Sequence, residues 1–474
     1  MLRFATRYGS NGVSSWLRQP YCRYGVHART TLRARMISGD SFGALTDVEK
    51  IMLDSVKATG PISFSTFMQL SLGHPTYGYY MKPEHAVFGT QGDFVTSPEI
   101  SQMFGELVAL WMIKQWMDTN VKVPFRVVEL GPGRGTLMED IIRVSDIERV
   151  VIYFSPSSFQ VLNQLPATPG KLKSVHLVES SVSMRASQEG KLRKASQEDG
   201  FEIMWHDAIE EIEHEEDVFT MLVAHEFFDA LPVNVIERTQ QGWNEVLIAP
   251  SSDPSIKYTM PSSESDSKPV SPPQFQPMSS RWTRVLSPSP TGSSTLLGLA
   301  SPRFSSLPIG TRIEVSRASM NHARNIGKLI GTKGGGCALI VDYGADKAFG
   351  DSLRAFKQHK IVDLFCRPGE CDVTANVDFG LLKESMADLV STHGPISQRD
   401  FLTRMGIEIR AGALMRSASS PERKKAIEEG ANRLVDPLGM GEQYKVLGVV
   451  AKSSEEGQAV DEVWPFTNTA STHP

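Results

Sequence analysis

The chain has 474 residues, with 49 Lys and Arg against 54 Asp and Glu, a net charge of −5, 40% hydrophobic and 22% charged residues. That is globular composition with enough length for a large core, and its acidic balance supplies no basic surface for nucleic-acid phosphates. No stretch approaches the roughly 18 apolar residues of a membrane-spanning helix, and four scattered cysteines, read as reduced packing residues, do not make a disulfide scaffold.

Residues 1–39 carry seven arginines, no lysine and no acid, with Ser and Thr interspersed. This is the composition of a mitochondrial transit peptide, which implies delivery to the matrix and lies outside the fold; a disordered basic tail is the alternative. A helix is expected from Thr46, where Thr46-Asp47-Val48-Glu49 reads as a capping box followed by Ile51, Met52 and Val56 on one face. A second is expected at Ser97-Pro98, with Ser97 as cap and the stripe Ile100, Met103, Phe104, Leu107, Val108, Trp111. Together they suggest an N-terminal helical or lid module over 45–124, with an aromatic, glycine-rich loop from Gly73 to Thr96.

From Phe125 to 452 the pattern alternates between short β-branched runs and helices. Strands are expected at Phe125–Leu130, Ser174–Glu179, Phe201–His206, Phe219–Ala224 and Cys337–Tyr343, with helices of the type Thr136–Val144 and Ala318–Ile330. Such alternation builds a mostly parallel sheet covered on both faces. Val233–Ile236 and Glu245–Ile248, linked through Gly242, read as an added hairpin. Two insertions interrupt the domain: a loop at 151–171, and residues 250–308, whose 17 Ser and 11 Pro suggest a disordered segment. Residues 453–474 form a tail.

The first strand ends in Glu129-Leu130-Gly131-Pro132-Gly133-Arg134-Gly135-Thr136. Glycines there let the chain turn sharply and let a ligand lie against the backbone. Their spacing departs from the G-x-G-x-x-G of dinucleotide sites, and the lysine of a P-loop is absent. Glu129 would repel a pyrophosphate and suits a ligand with an ammonium group and no phosphate, such as S-adenosylmethionine (SAM). Glu179, ending the second strand, is a candidate for the ribose diol, and Asp207, after the third, for the adenine amino group; a solvated strand end is the alternative for each. No metal-ligand spacing is present.

With this loop the sequence resembles the MidA-type family of methyltransferases. The resemblance continues in Gly73–Tyr80, Gly89–Glu99, His225–Val233, Arg312–Ser316, Leu339–Gly344 and Val373–Phe379, and covers roughly 45–145, 172–249 and 309–452. The chain departs from the family at His225, where Asn is commoner, and at Arg317, usually Pro. The resemblance implies an α/β, Rossmann-like class I fold with a seven-stranded sheet and SAM as the only cofactor. It further implies symmetric dimethylation of an arginine on a core subunit of respiratory complex I, in support of that complex's assembly. The segment His225–Val233 then faces the methyl donor. Glu226 and Asp229 are candidates to orient the guanidinium, Phe227 and Phe228 to stack on it, and His225 to take the proton; packing or turn roles are the alternatives. Asp93 is a candidate acceptor contact, or a turn residue, and Tyr77, Tyr79 and Tyr80 could form a lid. A non-catalytic SAM-binding assembly chaperone and a small-molecule methyltransferase stay open as rival readings.

Overall fold

A computed structural model describes residues 44–82, 95–119, 123–145, 171–251, 281–452 and 463–467. The expectations for 1–39, Asp93, most of 151–171, 252–280 and most of the tail lie outside the described residues. Among the described residues the central sheet has eight strands, seven along one path and a two-residue strand, Val377–Asp378, that pairs parallel with the end of the fifth off that path. In chain order the seven are β1 (Phe125–Leu130), β2 (Leu172–Val178), β3 (Glu202–His206), β4 (Phe219–His225), β5 (Gly336–Ala345), β6 (Val390–Ser397) and β7 (Tyr444–Ala451). They lie in the order β6-β7-β5-β4-β1-β2-β3. Neighbours from β3 to β5 pair parallel, and β7 pairs antiparallel with both β5 and β6. The expected strands reappear within two residues at their N-terminal ends and within two at their C-terminal ends.

Strands β1 and β4 are buried at every residue, as parallel strands covered on both faces must be. Their period of two sorts side chains into two cores. Phe125, Val127, Met221, Val223, Leu339 and Val341 face one, together with the helix Gln102–Asp118. Val128, Leu130, Leu222, Ala224 and Ile340 face the other, with the helix Arg317–Ile330. Gln102–Asp118 is apolar around almost its whole circumference because it is covered on several sides. The capping box at Thr46 forms as expected. At the second expected helix start, Thr96 rather than Ser97 is the N-cap of one short turn, Ser97–Ile100; the chain then breaks, and Ser101 caps the long helix with its side chain accepting from Met103 N.

The stretch 45–124 divides between two cores. Helices Asp47–Thr59 and Phe64–Gly73 pack with Val233, Val235, Val246, Ile248 and Val373, whereas Gln102–Asp118 belongs to the central sheet. Those partners come from two accessory sheets. One holds the expected hairpin, Asn234–Thr239 and Gly242–Pro250, joined by Ile62–Ser63, Trp282–Leu286 and Arg312–Val315. The other, of three strands in the order Lys360–Val362, Arg354–Lys357, Asp372–Thr374, is not evident in the sequence pattern.

The expectation of disorder over 250–308 does not hold for 281–308. Trp282–Leu286 adds to the hairpin, and two helices follow, Gly292–Gly298 and Pro302–Ser305. Among the described residues of this stretch, Thr291, Ser294, Ser301 and Pro302 serve as helix starts. Thr291 and Ser294 form a reciprocal capping box, and Ser301 caps a turn with Pro302 at its first position. Thr291→Ala should therefore destabilise the protein by about 1 kcal/mol, read as a lower midpoint in chemical denaturation; an unchanged midpoint would mean that this stretch contributes no folded structure.

Candidate active site

The turn after β1 is built on three glycines with positive φ: Gly131 (63°), Gly133 (50°) and Gly135 (77°). Side chains rarely adopt this conformation, so each substitution carries backbone strain. At Gly131 an added Cβ would also lie 3.0 Å from the Phe227 ring. A fully buried glutamine, Gln188, fixes the loop. Its Nε2 donates to Gly133 O at 2.7 Å and its Oε1 accepts from Trp205 Nε1 at 2.8 Å. Thr136 lines the cavity, and its hydroxyl accepts from Lys191 Nζ at 2.6 Å.

Glu129 is buried at the base of this loop, and its Oε2 has no hydrogen-bond partner. Burial, reinforced by the nearby charge of Glu179, raises its pKa to about 8. Glu179 stands beside it, with Oε1 accepting from Ser181 N at 2.8 Å, and burial raises its pKa too. Asp207 does not join them. It is exposed, pairs with Arg185, and is not among the residues lining the cavity.

The segment after β4 is positioned by Asp342 on β5. Its Oδ2 accepts from Phe228 N (2.9 Å) and Asp229 N (3.2 Å), and its Oδ1 from Tyr343 N (2.8 Å). Glu226 sits at φ 50°, a strained conformation for a side-chain-bearing residue. Its Oε1 accepts from Tyr444 Oη at 2.5 Å, and the Tyr343 hydroxyl lies 2.6 Å from that same Tyr444 oxygen. Burial lifts the Glu226 carboxyl to about 8. Asp229 is raised well above the ordinary range, first by burial and then by Asp342, Glu226 and Asp372, with Arg354 opposing.

Phe227 lines the cavity, edge-on to Phe228 with ring centroids 5.4 Å apart. Phe228 turns the other way into the core, so stacking on an acceptor falls to Phe227 alone. His225 also lines the cavity, with Nε2 3.7 Å from Glu226 Oε1 and no hydrogen-bond partner. Burial drops its pKa to about 3, which makes it a neutral, weakly basic imidazole and a poor proton acceptor. Of the three tyrosines, Tyr79 is core and Tyr77 is exposed. Tyr80 lines the cavity and donates to Asp372 Oδ1 at 2.7 Å.

Among the described residues, one cavity of about 780 Å³ is lined by Glu99, Glu129, Glu179, Glu226, Asp229 and Asp372, with Arg134 and Arg354 as the cationic side chains besides histidines. An unpartnered buried carboxylate oxygen beside bare glycine backbone fits a cationic, phosphate-free ligand such as SAM. Gln188, Tyr343, Arg354, Asp372 and Tyr444 did not stand out as site residues in the sequence. Asp342 and Asp372 stand in or beside the later motif blocks, the only local signal available for them.

A family profile described as "Putative S-adenosyl-L-methionine-dependent methyltransferase" matches residues 107–396. The Drosophila melanogaster "Protein arginine methyltransferase NDUFAF7 homolog, mitochondrial" is 36% identical over 400 residues, 83% of this chain and 82% of that protein. The Danio rerio and Homo sapiens proteins named "Protein arginine methyltransferase NDUFAF7, mitochondrial" are 34% and 30% identical, covering 85% and 87% of this chain and 86% and 85% of their own. A Burkholderia thailandensis protein crystallised with S-adenosyl-homocysteine superposes with a TM-score of 0.60 at 20% identity, over 85% of this chain and 91% of that one.

Removing the Gln188 clamp frees the glycine loop and leaves Trp205 Nε1 without its acceptor. Gln188→Ala should weaken SAM about tenfold in calorimetry, the cost of roughly one or two hydrogen bonds; undiminished affinity would separate the loop from ligand binding. The raised carboxylates also fix how stability depends on pH. Glu129 and Glu226 keep their protons to about pH 8 when folded, against ordinary values of 4.5. Between those limits the folded chain binds more protons than the unfolded chain, so stability falls as pH rises from about 5 to about 8. Glu226→Gln removes one such group. Its Tm should exceed the parent's by a few degrees at pH 8 and match it at pH 4.5; a lower Tm at pH 8 would mean that the carboxylate is held by cations.

Proposed function

Because the chain belongs to the family of S-adenosyl-L-methionine-dependent methyltransferases, with their Rossmann-like class I fold, we propose that it is a protein-arginine N-methyltransferase of the mitochondrial matrix. Its acceptor in this reading is an arginine on a core subunit of respiratory complex I, carried to symmetric dimethylarginine in support of that complex's assembly. SAM is the cofactor, and when bound it supplies a methyl group activated by a sulfonium. Glu129 and the loop Gly131, Gly133, Gly135 and Thr136 would hold its amino-acid end, and Glu179 its ribose diol. Asp207 would reach the adenine only by releasing Arg185.

The observation that carries the choice of acceptor is the excess of buried carboxylate over cation around one cavity. Burying more carboxylates than cations is costly, and the cost is recovered when a cation enters. A guanidinium brings that charge with planar donors suited to carboxylates. It is a poor nucleophile while fully protonated, so the site must align one nitrogen and receive its proton. Glu226 and Asp229 are the candidates to hold the guanidinium plane, and Phe227 offers a ring face. The proton shed by the methylated nitrogen would pass to Glu226, whose pKa near neutrality suits a general base better than the depressed His225. The relatives' names support the arginine acceptor and the mitochondrial setting. The Arg-rich N-terminus adds independent support for the second.

Glu226→Gln should bind SAM with parental affinity yet transfer methyl groups at least about 100-fold more slowly; full turnover by that variant would remove Glu226 from the chemistry. Mass spectrometry of mitochondrial proteins with and without this chain should find a dimethylarginine on a complex I core subunit only when the chain is present. The same modification in both samples would overturn the reading.

A further inference from the structure

The small three-stranded sheet is a wall of the cavity with one open edge. Its register opposes Phe356 to Ile361 and to Asp372, and Arg354 to Thr374. Opposed residues share a face, so Arg354, Phe356, Ile361, Asp372 and Thr374 stand on one side, and all five line the cavity. Ala355 and Val373, of opposite parity, are buried in the accessory core. Parity therefore aims one whole face of this sheet at the acidic chamber.

Its outermost strand is Lys360–Val362, and no described strand pairs with its far side. The hairpin turn is Gln358-His359, both with positive φ (50° and 59°), a two-residue loop flanked by the pair Lys357 and Lys360. The pair flanking such a loop exchanges both main-chain hydrogen bonds, and the next pair exchanges none. Ile361 is in that next pair, so its N–H and C=O point outward along the open edge. Ile361 is 71% exposed and stands at the chamber's mouth. Native edges are usually blunted by charge. Lys360 supplies one, but the residue whose main chain is on offer is an isoleucine.

We propose that Lys360–Val362 is the docking edge for the substrate polypeptide, which adds an extended strand antiparallel to it. This rests on the arginine-methyltransferase reading and specifies how the acceptor is presented. The residue exchanging both bonds with Ile361 has its side chain on the Ile361 face, directed into the chamber. That residue is the acceptor arginine, and its cationic end passes Asp372 toward Glu226 and Asp229. Charge complementarity selects the occupant, since six carboxylates of the described residues line the chamber the side chain enters. Main-chain pairing supplies affinity without demanding a particular neighbouring sequence.

The test uses the full-length chain and a short synthetic peptide spanning the dimethylarginine site found by mass spectrometry. Ile361→Pro removes the outward N–H at an edge position that tolerates proline. It should lower kcat/KM for the peptide about tenfold while leaving SAM affinity unchanged. Ile361→Thr keeps the main-chain donor and should retain most of the parental value. A peptide N-methylated at the arginine's backbone amide should lose a similar factor with the parent enzyme. Equal losses from Ile361→Pro and Ile361→Thr would assign the effect to the side chain and overturn the docking edge. Parental kcat/KM in Ile361→Pro would overturn it too, including where light scattering shows a parental dimer turned monomeric, which would give the edge to a second copy. No turnover of the peptide by the parent chain would instead refute the acceptor reading itself.

Discussion

The organising constraint of this molecule is the cost of burying more carboxylates than cations in one place. Glu129, Glu226, Asp229, Asp342 and Asp372 gather at the C-terminal edge of the central sheet and beside it. Asp342 is settled there by three main-chain N–H donors. Glu129 keeps an oxygen with no hydrogen-bond partner, and Glu226 has a tyrosine hydroxyl where a cation would neutralise it. Desolvation pushes Glu129 and Glu226 up to about 8. Gathering these acids is electrostatically unfavourable, and a positively charged ligand relieves it.

Everything around that cluster holds it in place against its own repulsion. Parallel strands with buried flanks supply a rigid floor, and turns of strained backbone lift the working side chains from its edge. The glycine loop turns through three positive-φ residues and is clamped by Gln188 from the neighbouring helix. Glu226 occupies a similar strained conformation, held between Asp342 beneath the turn and Tyr444 from the antiparallel strand. Strain of this kind persists where surrounding structure over-determines it. The small three-stranded sheet lines the same chamber as the glycine loop, through Arg354, Phe356, Ile361, Asp372 and Thr374.

Much of this was legible in the chain. Periodicity and capping chemistry located the helix at Thr46 and the first five strands of the path, because those signals are local to each capping box and each short run of β-branched and apolar residues. The glycine spacing, with Glu129 ahead of it, was enough to favour a cationic ligand over a nucleotide, since a turn and a charge two residues away act over a few ångströms. The helix Val182–Asp199 carried no such signal; it buries only Gln188 and Leu192, so it has no apolar stripe to find. Serines and prolines over 281–308 were misread for a related reason: composition cannot distinguish a capping hydroxyl from a solvated one.

What only the tertiary structure decided is which distant residues meet. Phe227 faces the cavity and Phe228 the core because the strand ends at His225 and Asp342 fixes the turn. Asp207 was drawn to Arg185 rather than to the site. Tyr444 reaches Glu226 across 218 positions of chain, and Arg354 and Asp372 arrive on a small sheet that no periodicity announced. Sequence determines conformations whose energies depend on neighbours along the chain. The pairing of buried charges depends on packing between segments far apart in it, and that is written only in three dimensions.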